Sequence, residues 1–260
     1  MSYGSGNSGD YKKLKGQTIQ VTDTDPVAFV GAWSSGGSLN TTRHSAARGT
    51  AGIQTAAIAT GGTGLTAKAE QYDGSSWSEE TEINTARRAL TGFGATNTAS
   101  LVAAGFSTAA TDLTEVWDGS SWTEVGDQNA AKIARGGTGT VTAGILFGGT
   151  DPSTNTETWN GTAWTEVSEL NTAGEYRTAS GTAAEVLAAG SYPLSANVES
   201  WNGTSWTEIN NISTARWEGA GTGSSTLGLI AGGHPGTPNS YATATEEFSF
   251  SHPIKTVTTS

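Results

Sequence analysis

Three neighbouring pieces of the chain decide the fold: Gly144-Ile145-Leu146-Phe147-Gly148-Gly149, then Glu157-Thr158-Trp159-Asn160-Gly161, then Trp164-Thr165-Glu166-Val167. The first is a short apolar strand closed by a double glycine. The second is a strand ending in Asn-Gly, which predicts a type I′ hairpin turn, because that turn needs positive φ at both central positions. The third is the returning strand, opened by Trp. The same succession recurs along the chain. Its Trp stands at Trp33, Trp77, Trp122, Trp164 and Trp206, at spacings of 44, 45, 42 and 42 residues. Asn or Ser follows each Trp seven residues later (Asn40, Asn84, Asn129, Asn171, Ser213), and an aromatic precedes four of them by five (Tyr72, Trp117, Trp159, Trp201). Asp73-Gly74, Asp118-Gly119 and Asn202-Gly203 stand where Asn160-Gly161 does.

The apolar runs Ala56–Thr60, Ser100–Ala104, Gly144–Phe147, Glu185–Ala189 and Gly228–Ala231 read as the inner strands of five units, each ending at Gly-Gly or Ala-Gly: Gly61-Gly62, Ala104-Gly105, Gly148-Gly149, Ala189-Gly190 and Gly232-Gly233. A weaker fourth strand precedes each run, as in Arg216–Gly221. Four short antiparallel strands in every 42–45 residues make one propeller blade. The expectation is an all-β, five-bladed β-propeller over residues 31–250, with an extended N-terminal arm over 1–30 and a short tail over 251–260. The last unit ends near Glu246–Phe250 without a Trp strand. The strand around Trp33 is therefore expected to pair with the last blade and close the ring, which removes an open sheet edge.

Composition narrows the function classes. The chain has 260 residues, 35% of them hydrophobic, with 36 Gly, nine Trp and no Cys, and a formal net charge of −11. Few aliphatic side chains are present, so Trp must supply much of the buried area. The acidic balance argues against binding the phosphate backbone of nucleic acid, which requires a basic footprint. The absence of Cys removes disulfide and thiol chemistry. No stretch approaches 18 apolar residues and the N-terminus lacks an apolar signal core, so synthesis in a cytoplasm and no membrane insertion are expected.

The pattern of an apolar run, a double glycine, an aromatic and then Trp resembles the kelch repeat. The matching residues are Gly61-Gly62, Tyr72 and Trp77; Gly148-Gly149, Trp159 and Trp164; and Gly232-Gly233 with Phe248. The units are shorter than the usual kelch length of about 50 residues. A second resemblance lies in Gly9–Gly16, Asp25-Pro26 and Gly31–Thr41, which together with the degenerate units are similar to structural proteins of marine tailed bacteriophages. That resemblance implies a non-enzymatic virion component, a head decoration or a tail or fibre protein, exposed on the particle surface. Its partners would be other capsid or tail proteins, reached through the arm by Tyr11, Lys12, Lys13, Lys15, Ile19 and Val21.

No stretch carries a recognisable catalytic, cofactor or metal motif. The three His, His44, His234 and His252, have no metal-ligand spacing. No carboxylate pair marks a glycosidase cleft. Glu79, Glu124, Glu166 and Glu208 lie two residues after their Trp and are expected to face water by strand alternation. Arg43, Arg87 and Arg216 occupy one repeat position, held by Lys132 and Gly174 in the other units. An interrupted Arg reads as a blade-bridging residue. What remains is the loops after the double glycines, since variable loops on a rigid scaffold are where binding sits. The longest begins at His234 and runs to Tyr241; His234, Pro235 and Tyr241 are its candidate ligand contacts, for which a host-surface glycan is the alternative partner.

Overall fold

The computed structural model describes residues 35–43, 50–62, 64–236 and 241–249. All of these but Ser35 belong to one compact unit, Gly36–Phe250. The arm residues Tyr11, Lys12, Lys13, Lys15, Ile19 and Val21, the closing strand at Trp33, and the tail lie outside the described residues.

The chain forms five antiparallel sheets arranged as a β-propeller. Among the described residues four sheets have four strands and one has three. Blade 1 comprises Thr50–Ile53, Ala56–Thr60, Ala69–Tyr72 and Trp77–Glu80; blade 2, Thr91–Thr96, Ala99–Ala103, Thr114–Trp117 and Trp122–Glu124. Blade 3 comprises Gly136–Thr140, Ala143–Phe147, Thr156–Trp159 and Trp164–Glu166; blade 4, Thr178–Thr182, Glu185–Ser191, Ser195–Trp201 and Trp206–Ile209. Blade 5 comprises Ala220–Gly223, Leu227–Ala231 and Thr245–Ser249. No described helix is long and apolar enough to cross a membrane.

The innermost strand of each blade is the weak one, not the apolar run. The first strands of blades 1 to 5 pack against one another in succession, and those of blades 2 to 5 line a central channel, so the apolar runs are second strands, sandwiched within their blades. Physical crowding explains why the innermost strands read weakly. A Cβ on Gly136 would lie 2.4 Å from Cε2 of Phe147, and one on Gly221 would lie 2.4 Å from the Ala179 carbonyl. Five strands converging on one axis favour small residues, with Ile53 and Phe93 the larger exceptions, and the Gly, Ala and Ser among them carry little strand signal.

The turn chemistry also differs from the expected type I′. Tyr72 pairs with Trp77 and Trp159 with Trp164, so four residues make each loop. Gly74 and Gly161 have positive φ, but Asp73 and Asn160 do not. Instead the Asp73 carboxylate accepts from the backbone N–H of Ser75 and Ser76, each at 2.8 Å, and Asn160 Oδ1 accepts from Thr162 and Ala163. The side chain thus replaces a backbone turn. These donors hold the Asp73 carboxyl down at about 2. In blade 4 the αL glycine corresponding to Gly61 and Gly148 is Gly190, so the doublet there is Gly190-Ser191 rather than Ala189-Gly190.

Aromatics and aliphatics fill the seams between blades. Each fourth-strand Trp packs on the aromatic across its hairpin, with ring centroids 5.1 Å apart for Tyr72 and Trp77 and 5.3 Å apart for Trp201 and Trp206. Trp206 also meets Phe147 of blade 3 edge-on at 5.0 Å and donates to Thr156 Oγ1, so it locks blade 4 to blade 3. Its surroundings are Ile145, Phe147, Leu170, Val186, Ala188 and Trp201, all buried.

Candidate functional site

The repeated charged groups are structural, and they recur in all five units. Glu70, Glu115, Glu157, Glu199 and Glu246 each lie two residues before the third-strand aromatic, and each pairs with an Arg: Arg43, Arg87, Arg135, Arg177 and Arg216 respectively. The Arg is therefore not lost where Lys132 and Gly174 stand. Arg135 and Arg177 supply it from three residues further along, and the bare Gly174 leaves space for Arg177, whose Nε would lie 3.1 Å from a Cβ there. In blade 2 the Arg87 guanidinium also donates to the carbonyls of Ala104 and Leu113, closing the loop between second and third strands. Burial pulls Arg87 below its ordinary value, and Glu115 opposes that.

The residue seven after each Trp completes the device. The backbone N–H of Asn84, which follows blade 1, donates to Glu115 of blade 2 at 2.6 Å, and Asn129, Asn171 and Ser213 do the same to Glu157, Glu199 and Glu246. Asn40 donates to Glu70 in the same way, so the chain at Asn40 enters blade 1 as its counterparts enter the other blades. Glu79, Glu124, Glu166 and Glu208 are exposed, but not by alternation: each lies two residues after its Trp and so on the same face of the strand, and faces water because the strand is the outermost of its blade.

A second belt surrounds the channel mouth. Ala89, Ala134, Tyr176 and Glu218 occupy one position in blades 2 to 5, all with φ between 51° and 62°. The backbone N–H of Ala134 donates to Ala89 O, that of Tyr176 to Ala134 O and that of Glu218 to Tyr176 O, passing a hydrogen bond from blade to blade. The left-handed conformation costs non-Gly residues free energy, and this belt holds it in place. The channel has a volume of about 630 Å³, and Ala89, Tyr176, Glu218 and Tyr241 are among its lining residues. Where blades 2 and 3 place Ala on the belt, blades 4 and 5 place Tyr and Glu.

Around those two residues the five-fold pattern breaks. Trp217 stacks on His234 with centroids 4.7 Å apart and planes 24° apart. Tyr176 lies 5.2 Å from the same indole and Tyr192 5.7 Å from it. His234 meets Tyr241 edge-on at 5.8 Å. Backbone bridges fix the arrangement: Trp217 pairs with His234, and Glu175 with Tyr192. His234 Nδ1 accepts from the Gly236 N–H, which places its proton on Nε2. Leu194 packs at Gly236, joining the blade 4 loop to the blade 5 loop. Tyr241 is 77% exposed and Tyr192 48% exposed, so two ring faces remain open to solvent beside the channel. Two carboxylates flank them. Glu218 is exposed, and among the described residues no group donates to its side chain. Glu175 is half-buried, and burial and then nearby Asp151 push its carboxyl up.

Of the three expected ligand contacts, His234 and Tyr241 are brought together, and Pro235 separates His234 from the Gly236 amide it accepts. The sequence reading missed Trp217, Tyr176, Tyr192 and Glu218 as members of the site. A signal was present, since Trp217 and Tyr176 stand where blade 2 has Arg88 and Ala89 and blade 3 has Ile133 and Ala134. Among the described residues no group of three or more His, Asp or Glu is placed to hold a metal ion. No protein-family model matches the chain, and no curated protein is significantly similar to it.

Proposed function

We propose that this protein is a non-enzymatic structural component of a virion that displays a kelch-like propeller as a recognition module, docked on capsid or tail proteins through residues 1–30. The docking part rests on the resemblance of Gly9–Gly16 and Gly31–Thr41 to phage structural proteins. The recognition part is carried by one observation: exposed aromatics gather where the described repeat departs from its pattern in blades 4 and 5, on a scaffold whose recurrent Arg–Glu pairs are satisfied internally. Aromatic rings give large, stiff contact surfaces at low entropic cost, which suits recognition.

The test compares the full chain with a version lacking residues 1–30 in pull-downs from infected host cells. Capsid or tail proteins recovered by the full chain alone support docking by the arm. Equal recovery by both overturns it.

A second reading, an adhesin for host-surface glycans, is favoured by Tyr241 and Tyr192. Open aromatic faces beside Glu218, to whose carboxylate no group donates among the described residues, suit the apolar face and hydroxyl rim of a sugar ring. Loss of host-cell binding on substituting Tyr241 supports this reading; unchanged binding overturns it.

A further inference from the structure

We propose that the surface formed by Tyr176, Tyr192, Trp217, Glu218, His234 and Tyr241 takes an uncharged hexopyranose and rejects its uronate and sialic acid counterparts. This rests on the glycan reading above and names its ligand class.

Three observations carry it. The first is the open ring of Tyr241, 77% exposed yet held edge-on to His234, which is itself stacked on Trp217. The ring is thereby a supported platform rather than a loose side chain, and the C–H face of a pyranose is the apolar surface that fits it. The second is Glu218. It lines the channel beside Tyr241 and Tyr176, and among the described residues no group donates to its carboxylate. A carboxylate accepts two hydrogen bonds side by side, which matches the O–H donors of a vicinal diol, and bonds to an ionised acceptor are the stronger kind. Its backbone has φ of 62°, a conformation disfavoured for Glu, so the side chain is held at this place by the belt.

The third is the sign of the local charge. Glu218 adjoins Trp217 in sequence, Glu175 is bridged to Tyr192, and Asp151 stands near Glu175. The channel-lining guanidinium groups of Arg43, Arg135 and Arg177 are each paired with a Glu. Lys132, the cation beside Glu175, keeps its charge while donating to the Thr150 carbonyl, and the carboxylates of Glu218, Glu175 and Asp151 outnumber it. A carboxylate-bearing sugar arriving here meets like charge, and like-charge juxtaposition is how interfaces suppress wrong partners.

The experiment measures binding to the full chain by ligand-observed NMR and calorimetry. The probes are methyl glycosides of galactose, glucose and mannose, set against methyl galacturonate and glucuronate glycosides that differ only at C6. At least one hexoside is expected to bind in the millimolar range, about 1 mM, with its uronate at least tenfold weaker. The gap should narrow at high salt, because exposed charges are screened. Tyr241→Ala should lose at least tenfold, and Glu218→Gln should weaken the hexoside while narrowing the gap to the uronate. Both side chains are exposed, and an unchanged melting temperature confirms that each variant folds. A uronate binding as well as its hexoside overturns the ligand class but leaves the glycan reading standing. Hexoside binding unaffected by Tyr241→Ala overturns the site. No binding of any probe overturns both this inference and the glycan reading.

Discussion

Arg87 and Arg135 deliver their guanidinium groups to equivalent carboxylates, Glu115 and Glu157, from different places on the backbone: Arg87 stands ten residues after Trp77, Arg135 thirteen after Trp122. The left-handed residue of the belt falls between these two positions, at Ala89 in blade 2 and Ala134 in blade 3. An Arg two residues before it or one after it reaches the same pocket. The pairing is therefore a property of the blade, not of one alignment column, and the same alternatives recur as Arg216 in blade 5 and Arg177 in blade 4.

This gives a swap test. Arg135→Leu leaves Glu157 buried without its cation, and breaking a buried pair costs about 3–5 kcal/mol. Adding Lys132→Arg on that background recreates the blade 2 arrangement, in which Arg87 is followed three residues later by Leu90. The single variant should melt roughly 10 °C lower than wild type, and the double variant should recover most of that loss. A double variant no more stable than the single one would show that the two backbone positions do not serve one pocket.

The same pairs set the acid limit. Burial alone would raise Glu70, but donation from the Asn40 backbone and from Arg43 outweighs it and leaves the carboxyl below its ordinary value of 4.5. Glu246 behaves alike, with Ser213 and Arg216 as its partners. A carboxyl depressed in the folded state adds stability above its unfolded value, and that stability is lost as pH falls through the folded value. Melting temperature should therefore be flat down to about pH 5 and fall below 4.5. Glu70→Gln should lower the plateau and flatten the fall. A Gln variant with an undiminished acid slope would assign that slope to other groups.

The propeller was legible in the sequence because its signals are covalent in register: the Trp, the Asx-Gly and the double glycine recur together, and each has a local cause in turn or hairpin geometry. The central strands were weak because crowding at Gly136 and Gly221 removes the side chains that announce a strand. The Glu at the heart of each blade is hard to read for a different reason. Glu157 and Glu166 both sit in short strands near a Trp, and only the pairing with Arg135 buries the first while the second faces water. At the candidate site, His234 and Tyr241 stood out as loop residues. Tyr176 and Trp217 did not, since their meeting depends on two blades packing side by side.

Glu218 links stability to binding. Its φ of 62° suits Gly, and relieving the left-handed cost of an L-residue outweighs the added chain entropy of Gly by about 0.5–1 kcal/mol. Glu218→Gly should thus raise the unfolding free energy by about that amount while weakening the sugar binding proposed above. Denaturant melts and the hexoside titration check both halves. A destabilised Gly variant would mean that the carboxylate itself supports the belt.

The seam between blades 4 and 5 holds a cavity of about 260 Å³ lined by Leu187, Ala189, Ile212, Gly228, Ile230 and Phe248, among others. One blade earlier, the equivalent positions are Ile145, Phe147, Leu170, Val186, Ala188 and Trp201, and these surround Trp206. The equivalence follows from strand register: Leu187 matches Ile145 as Ala188 matches Leu146, and Phe248 opposes Gly228 as Trp201 opposes Val186. Among the described residues the lining is therefore that of a Trp pocket with no indole in it. Trp206→Ala should consequently cost roughly 3–5 kcal/mol and should raise hydrogen exchange at Ile145 and Val186, the counterparts of Leu187 and Gly228. Denaturant unfolding and hydrogen exchange are the measurements: a Trp206→Ala variant as stable and as well protected as wild type would mean that the indole does not hold the seam between blades 3 and 4.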